Sequence, residues 1–349
     1  MASAPQSLLR ALLWKRAGEK VRCLLCPHFC FLSPGERGLC GVRLCADSAG
    51  GPRLETLVGD TVVSTHLDPV EKKPLYHFMP GTATWSFGTA GCNLSCLFCQ
   101  NWSISRLAPD QNRMAGTRIT PEQMVAEALA LGASSISCTY TEPTVFFEYM
   151  SAVADRALEA KLANIMISNA FISPKALRML EKRIQAANID LKGFTEQYYR
   201  GICGASLKPV LRNLKAMSRM GWWLEITTLL VPGRNDSETE LRGLARFIHN
   251  ELGPHVPWHI SRFRPQYRMR DLPPTPIESL ERAWTIGKEE GLLFVYLGNV
   301  PGHEANSTYC PNCGALFAER AGFNTVLPGS SACKNCKAAI PGIGWGRSG

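Results

Sequence analysis

Three cysteines, Cys92, Cys96 and Cys99, lie within eight residues of one another in the stretch GTAGCNLSCLFCQNW, residues 88–102. Thiolates are metal ligands, and this C-x3-C-x2-C spacing puts three of them on one short loop. Structural zinc takes a closed set of four ligands, commonly from two paired knuckles. A [4Fe–4S] cluster has four irons, each served by one ligand and usually by Cys. Three thiolates from one loop therefore fill three irons and leave the fourth open to a chelating cofactor. A zinc ion completed by a distant residue is the alternative. Gly91, Asn93 and Ser95 keep the loop small, and the aromatic Phe98 precedes its last cysteine.

Two more cysteine sets flank this loop. Cys310-Pro-Asn-Cys313 and Cys333-Lys-Asn-Cys336 are paired C-x2-C knuckles, the pattern of a four-cysteine zinc ribbon; an auxiliary iron–sulfur cluster would use the same ligands. So short a segment has little core of its own, and bound metal can fold it. Cys23, Cys26, Cys30 and Cys40 form a less regular C-x2-C-x3-C-x9-C set, read as zinc first and an auxiliary cluster second, with Cys45 and His28 as further candidate ligands. Cys138 and Cys203 lack sequence partners and read as buried thiols.

The bulk composition narrows the setting. The chain has 349 residues, 45% apolar and 19% charged, with a formal net charge of +9. Its fourteen cysteines cluster at metal-ligand spacings, which indicates a reducing compartment, the cytoplasm, rather than a disulfide scaffold. No run of 18 apolar residues predicts a membrane span. No dense Lys/Arg run interleaved with aromatics points to nucleic acid. The start, SLLRALLWKR, predicts a short amphipathic helix, with a transit peptide as the alternative.

These loops need elements to position them. Apolar runs at 84–89, 134–139, 164–168, 186–191, 223–229, 258–263 and 293–299 predict strands, separated by amphipathic helices. Thr120-Pro121-Glu122-Gln123 predicts a capped helix start, with Gly132 as its stop. Thr275-Pro276-Ile277-Glu278 repeats the start pattern, and Ser237 with Glu240 forms another box. Such alternation predicts a parallel sheet with right-handed crossovers. Seven strands fall short of a closed eight-strand barrel of ~250 residues, so an incomplete (β/α) barrel is expected, an open doubly wound sheet being the competitor. Residues 1–80 form a metal-binding segment and linker, 81–305 the barrel, and 306–349 the ribbon-like segment. Catalytic groups should gather beyond the C-terminal strand ends, where the Cys92 loop falls.

The cysteine loop after the first strand of such a barrel resembles the radical S-adenosylmethionine (SAM) superfamily. The resemblance implies a [4Fe–4S] cluster on Cys92, Cys96 and Cys99, whose open iron binds SAM. It implies an external electron donor, and reductive cleavage of SAM to methionine and a 5′-deoxyadenosyl radical that abstracts hydrogen. It assigns Glu142 in TYTEP to the SAM amino group, although Tyr140 and Thr141 replace the two glycines of the family's turn. It assigns Ser168 and Asn169 in SNAF, and Asp190 and Lys192 in DLKG, as polar residues facing SAM. The stretches VRCLLCPHFC, RGLCGVR, LDPVEKKPLYHFMPG, NIDLKGFTEQYYR, TTLLVPGRNDSE, PWHISRFRP and LGNVPGHEANSTYCPNCG are similar to the radical SAM member of the AmmeMemoRadiSam system, a pyruvate-formate-lyase-activating-like group. This implies AMMECR-like and Memo-like partners.

Other groups are candidates for meeting the substrate. Lys72, Lys73 and His77 are placed to guard the mouth, or else to lie in a solvated linker. Period two sets Arg262 and Arg264 opposite His259, and an inward arginine would grip a carboxylate or phosphate. Asn299 and His303 follow the last strand. Two other functions remain open at this point: activation of a glycyl-radical enzyme, and a non-catalytic metal-rich binding module.

Overall fold

A computed structural model describes residues 9–111 and 116–346. All seven expected strands form, and they pair in chain order as one parallel sheet: β2 (Ala83–Gly88), β3 (Ser135–Cys138), β4 (Ala163–Ser168), β5 (Ala186–Asp190), β6 (Trp223–Leu230), β7 (Trp258–Arg262) and β8 (Val295–Gly298). An eighth strand, β1 (Ser64–Pro69), pairs antiparallel with β2, Ser64 opposite Gly88. Sequence reading treated residues 68–77 as a linker. Period two along Ser64–Pro69 is masked by a mostly polar composition, which packing inside a sheet tolerates and a propensity scale does not. β1 and β8 do not pair, so the barrel is partial.

Each consecutive pair of parallel strands is joined through a helix. These are α1 (Pro121–Ala130), α2 (Phe147–Glu159), α3 (Pro174–Leu180), α4 (Leu207–Arg219), α5 (Glu238–Phe247) and α6 (Ile277–Glu289). α1 starts as its sequence dictates. Gln123 N donates to Thr120 Oγ1 at 3.3 Å and Thr120 N donates to Gln123 Oε1 at 2.8 Å, closing the capping box. At α5 only half of the box forms: Glu240 N donates to Ser237, while the Glu240 carboxylate accepts from Phe194 N at 2.6 Å. Thr275 does not cap α6. Its hydroxyl donates to Leu230 O and accepts from Phe263 N, lacing β6 to the exit of β7. A local pattern lost there to a tertiary one.

The N-terminal helix expectation is also overturned. Leu9–Arg10 pairs with Glu55 and Thr56, and Trp14–Ala17 forms a hairpin with Lys20–Cys23. Ala11 and Leu13 are buried while Leu12 is 57% exposed. The stretch therefore has the period of a strand, and Gly18, at φ +64°, supplies the turn.

The end of the barrel opposite the cysteine loop is closed twice. Val70, Leu75, Phe78 and Met79, between β1 and β2, pack against Ile165 and Ala186. Below them the C-terminal segment adds Phe317, Ile340 and Trp345 against Tyr76, Phe294 and Tyr296. Glu225 is the hub of this end. Its fully buried carboxylate accepts from Tyr76 N, His77 N, Trp223 Nε1 and His259 Nε2, at 2.6–3.0 Å. His77 lies between Pro341 O, at 2.7 Å, and the Tyr296 hydroxyl, at 2.6 Å.

Glu225→Ala strands a buried His and two backbone N–H groups, so it is expected to lower unfolding free energy by about 3–5 kcal/mol in urea titration. Burial lowers the His77 pKa from 6.5 to about 4, the charge of Glu225 opposing it only in part. The folded state thus holds the neutral ring while the unfolded chain takes up a proton between these values. Stability must fall as pH drops through that window. Urea midpoints from pH 7 to 4 should show a steeper fall in the wild type than in His77→Gln.

Candidate active site

The cysteine loop leaves β2 at Gly88, where a Cβ would lie 2.5 Å from Thr139 O. Gly91, at φ +94°, is equally constrained, since a Cβ would meet Cys40 O at 2.7 Å. Beyond it the loop is held by its own backbone and by a distant one. Gly91 N donates to Ile104 O, and Ser95 N and Leu97 N donate to Cys203 O and Ile202 O, at 2.9–3.2 Å. Leu94 N donates to Cys92 Sγ at 3.4 Å, and Cys99 Sγ lies 3.3 Å from Ser105 Oγ.

Among the described residues, the sulfurs of Cys310, Cys313, Cys333 and Cys336 lie mutually within 4.8 Å, close enough to share one ion. Cys92, Cys96 and Cys99 are three thiols of one short loop, a donor set that fits three irons of one cluster, each taking one thiolate.

Burial and the Glu142 carboxylate raise the Cys92 thiol pKa well above the ordinary value, and burial raises that of Cys99. Contact with the Cys203 thiol lowers that of Cys96. Cys203 is thus no isolated thiol but lies against Cys96, and its own pKa is driven up by burial. Loading the loop with metal must displace these protons.

Beside the loop, the ends of β3 and β4 form a hydrogen-bonded cradle. Glu142, 2% exposed, accepts from Thr144 N, Thr144 Oγ1 and Ser168 Oγ through Oε1, and from Asn169 N through Oε2. Oε2 keeps a second acceptor position. Burial raises the Glu142 pKa, opposed by those N–H and O–H donors. Asn169 Nδ2 donates to Asn93 Oδ1 at 2.9 Å and lies 3.9 Å from Cys92 Sγ, while its Oδ1 accepts from Phe171 N. Asn93 in turn donates to Phe171 O. Glu142, Ser168, Asn169 and the cysteine loop are therefore one connected unit. Asn93, between two cysteines, carries that connection and was read only as a small loop residue.

The turn before Glu142 keeps a glycine-like conformation without glycine. Tyr140 sits at φ +65°, a left-handed position that costs a bulky residue energy. Its phenol donates to Asp68 Oδ2 at 2.6 Å, its carbonyl accepts from Asn101, and Thr141 donates to Thr89 O. Asp68 also accepts from Lys72 and Lys73, and buried Lys73 lies 4.9 Å from the Tyr140 ring. Burial lowers the Lys73 pKa to about 8 against the pull of Asp68. On the other flank, Lys192 Nζ is 2.9 Å from Asp190 Oδ2 and 5.7 Å from the Phe98 ring. Burial alone would lower the Lys192 pKa, but Asp190 and the thiols of Cys96 and Cys203 hold it well above the usual value. This pair is the loop's neighbour rather than a free surface pair.

Several candidates lie elsewhere. His77 and His259 belong to the Glu225 hub at the opposite end, because His77 precedes β2 and His259 lies at the start of β7 rather than at a strand's C-terminal end. Arg262 donates to Thr275 O, and Arg264 is exposed. Asn299 donates to Ser261, and His303 pairs with Glu281. Burial, with the nearby charges of Glu36 and Asp47, raises the Cys45 thiol pKa. Cys138 is buried and apolar in its surroundings, its pKa raised by desolvation alone.

Comparison with known proteins agrees with this geometry. The model of the Radical SAM superfamily matches residues 87–245, from the end of β2 into α5. An uncharacterized protein of Methanocaldococcus jannaschii is 44% identical over 320 residues, covering 91% of this chain and 93% of its own. A radical SAM methyltransferase from Sphaerobacter thermophilus superposes with TM-score 0.50 at 14% identity, covering 88% of this chain and 81% of that one. A domain of pyruvate-formate lyase-activating enzyme from Bacteroides vulgatus aligns with TM-score 0.42 at 16% identity, over 48% of this chain and all of that one. Family, fold and a three-thiolate loop on the catalytic rim lead to one conclusion: the chain belongs to the radical SAM superfamily, enzymes that use a [4Fe–4S] cluster and SAM.

Proposed function

We propose that the protein cleaves SAM reductively at the Cys92–Cys96–Cys99 loop, and that the 5′-deoxyadenosyl radical so formed abstracts hydrogen from a substrate at the barrel mouth. One observation carries this reading: three thiols on the loop that follows β2, with the Asn169 amide 3.9 Å from Cys92 Sγ. When bound, the cluster supplies the electron and an iron corner for SAM to chelate.

The chain's own groups orient and exclude. Oε2 of Glu142 has an acceptor position for an ammonium. Asn169 fixes the cradle to the loop. Lys192, held charged beside Asp190, offers a cation to a carboxylate. Phe98, Leu94 and Tyr198 are buried around the loop and keep water from it. The pyruvate-formate-lyase-activating-like motifs support AMMECR-like and Memo-like partners and a one-electron donor. All fourteen cysteines are free thiols, which supports a cytoplasmic setting; among the described residues no helix is long and apolar enough to cross a membrane.

We assign zinc to the C-terminal set. Cys310 and Cys336 sulfurs are 3.6 Å apart, and those of Cys313 and Cys333 are 3.7 Å apart, a spacing that suits four thiolates on one tetrahedral ion.

Anaerobically loaded protein given SAM and dithionite should release 5′-deoxyadenosine and methionine, measured by chromatography. Cys96→Ala should release none, and Asn169→Ala should lose roughly tenfold, the scale of one hydrogen bond to a charged group. Iron-loaded protein that binds SAM and leaves it intact would overturn the reading. Zinc should be recovered at about one per chain, lost in Cys310→Ser with Cys336→Ser and retained in Cys92→Ala with Cys96→Ala. Iron in place of zinc there would refute that assignment.

A further inference from the structure

We propose that the outer face of α4 docks an acidic one-electron donor protein, which reduces the site on the Cys92 loop from behind while the barrel mouth stays free for SAM and substrate. The electron transfer rests on the function proposed above; the docking does not.

Lys208, Arg212, Lys215 and Arg219 recur along α4 at helical spacing, so they form one stripe. Lys208, Arg212 and Arg219 are exposed. The opposite side of the helix, with Val210, Leu214 and Met217, is buried in the core. The stripe borders a groove of about 620 Å3 whose apolar lining is Leu211, Ala216 and Phe247.

Most of this positive charge is unspent. Lys215 pairs with Glu251 at 2.8 Å, and Glu196, across the groove, pairs with Arg200 at 3.6 Å. Among the described residues, Lys208, Arg212 and Arg219 have no carboxylate partner. The Arg212 guanidinium donates instead to Asn213 Oδ1, within its own helix, at 3.2 and 3.3 Å. Three unpaired cations around an apolar centre match an acidic partner, because interfaces bury an apolar core and use rim charge to steer and orient.

The position of the groove identifies that partner as the electron donor. At the upper end of the groove, Glu196 accepts from Lys208 N at 3.2 Å. In the same turn, the Tyr198 ring stacks on Phe98 at 6.4 Å, next to Cys99. Leu207, also in the groove, follows Ile202 and Cys203, whose carbonyls accept from Leu97 N and Ser95 N. Gly204 backs so closely on Ser95 Oγ that no Cβ fits between them. Buried Asn213 donates to Ala170 O and Ile172 O, each at 2.7 Å, just beyond Asn169. The groove helix is thus bonded to the segments that hold the cysteine loop and the cradle. Electron transfer decays steeply with distance, and residues 196–206 touch both groove and loop. An acidic peptide would fit the charge but gains nothing from that path. In each encounter the donor loses one electron and the loop's iron–sulfur site gains one; no bond is made or broken.

Flavodoxin, an acidic one-electron carrier, is the probe, with full-length protein loaded anaerobically. Lys208→Glu with Arg212→Glu and Arg219→Glu should weaken binding of fluorescently labelled flavodoxin, read by anisotropy, by roughly tenfold, the scale of three exposed ion pairs. The stopped-flow rate of reduction by flavodoxin should fall by a similar factor and lose most of its salt dependence. Reversing three exposed cations on α3, by Lys175→Glu with Arg178→Glu and Lys182→Glu, should change either by less than about twofold. SAM cleavage driven by dithionite, which needs no docking, should be unchanged in both variants. If the α4 variant fails to fold, Lys208→Gln with Arg219→Gln decides, at about threefold. Wild-type binding and rate in the α4 variant overturn the proposal, as does an equal loss in the α3 variant or a parallel loss of dithionite-driven cleavage. A poly-glutamate peptide that binds the wild type and not the α4 variant, while flavodoxin reduces both alike, overturns it in favour of a peptide partner. Flavodoxin binding that depends on α4, in a wild type that never cleaves SAM with dithionite, overturns the catalytic reading and leaves the docking surface standing.

Discussion

Three thiols on one loop, each placed to serve a different iron of one cluster, set the terms for the rest of the structure. Such a loop must be rigid before metal arrives, because each sulfur serves a different iron. The chain meets this need with backbone contacts that admit no side chain at Gly88 and Gly91, and with anchors from Ile202 and Cys203 more than a hundred residues away. The side facing the barrel is fixed by Asn93 and Asn169, and through them by Glu142. A polar network this buried is costly unless every member is satisfied. Here Glu142 collects four donors, so its role is both to fix the cradle and to leave one oxygen position outward.

The two ends of the barrel use charge for different purposes. At the lower end Glu225 is saturated by two backbone N–H groups, an indole and an imidazole, which closes the hub to any ligand. At the upper end Lys192 and Asp190 remain partly exposed beside the cysteine loop. The same residue types thus lock one end and equip the other.

Much of this was legible from sequence because the signals were local. The seven parallel strands are short apolar runs between capped helices, and Thr120–Gln123 closes its box as its residues dictate. Three cysteines in eight residues need no tertiary information to be read as one ligand set. What escaped depended on distant partners. His259 stood among the candidates for meeting the substrate, but its position early in β7 puts it beside Glu225. Thr275 carried a capping pattern and spent its hydroxyl on β6. Cys203 had no partner in sequence and lies against Cys96. The N-terminal stretch has both helical and alternating apolar positions, and strand pairing to Glu55 and Thr56 decided between them.

The central claim is that one iron on the Cys92 loop is left for SAM. The most direct measurement is electron paramagnetic resonance of the reduced protein, with and without SAM labelled with 15N at its amino group and 17O at its carboxylate. The account predicts a changed spectrum on SAM addition and hyperfine coupling to both labels, lost in Asn169→Ala at limiting SAM. An unchanged spectrum, with neither coupling at saturating SAM, would contradict it.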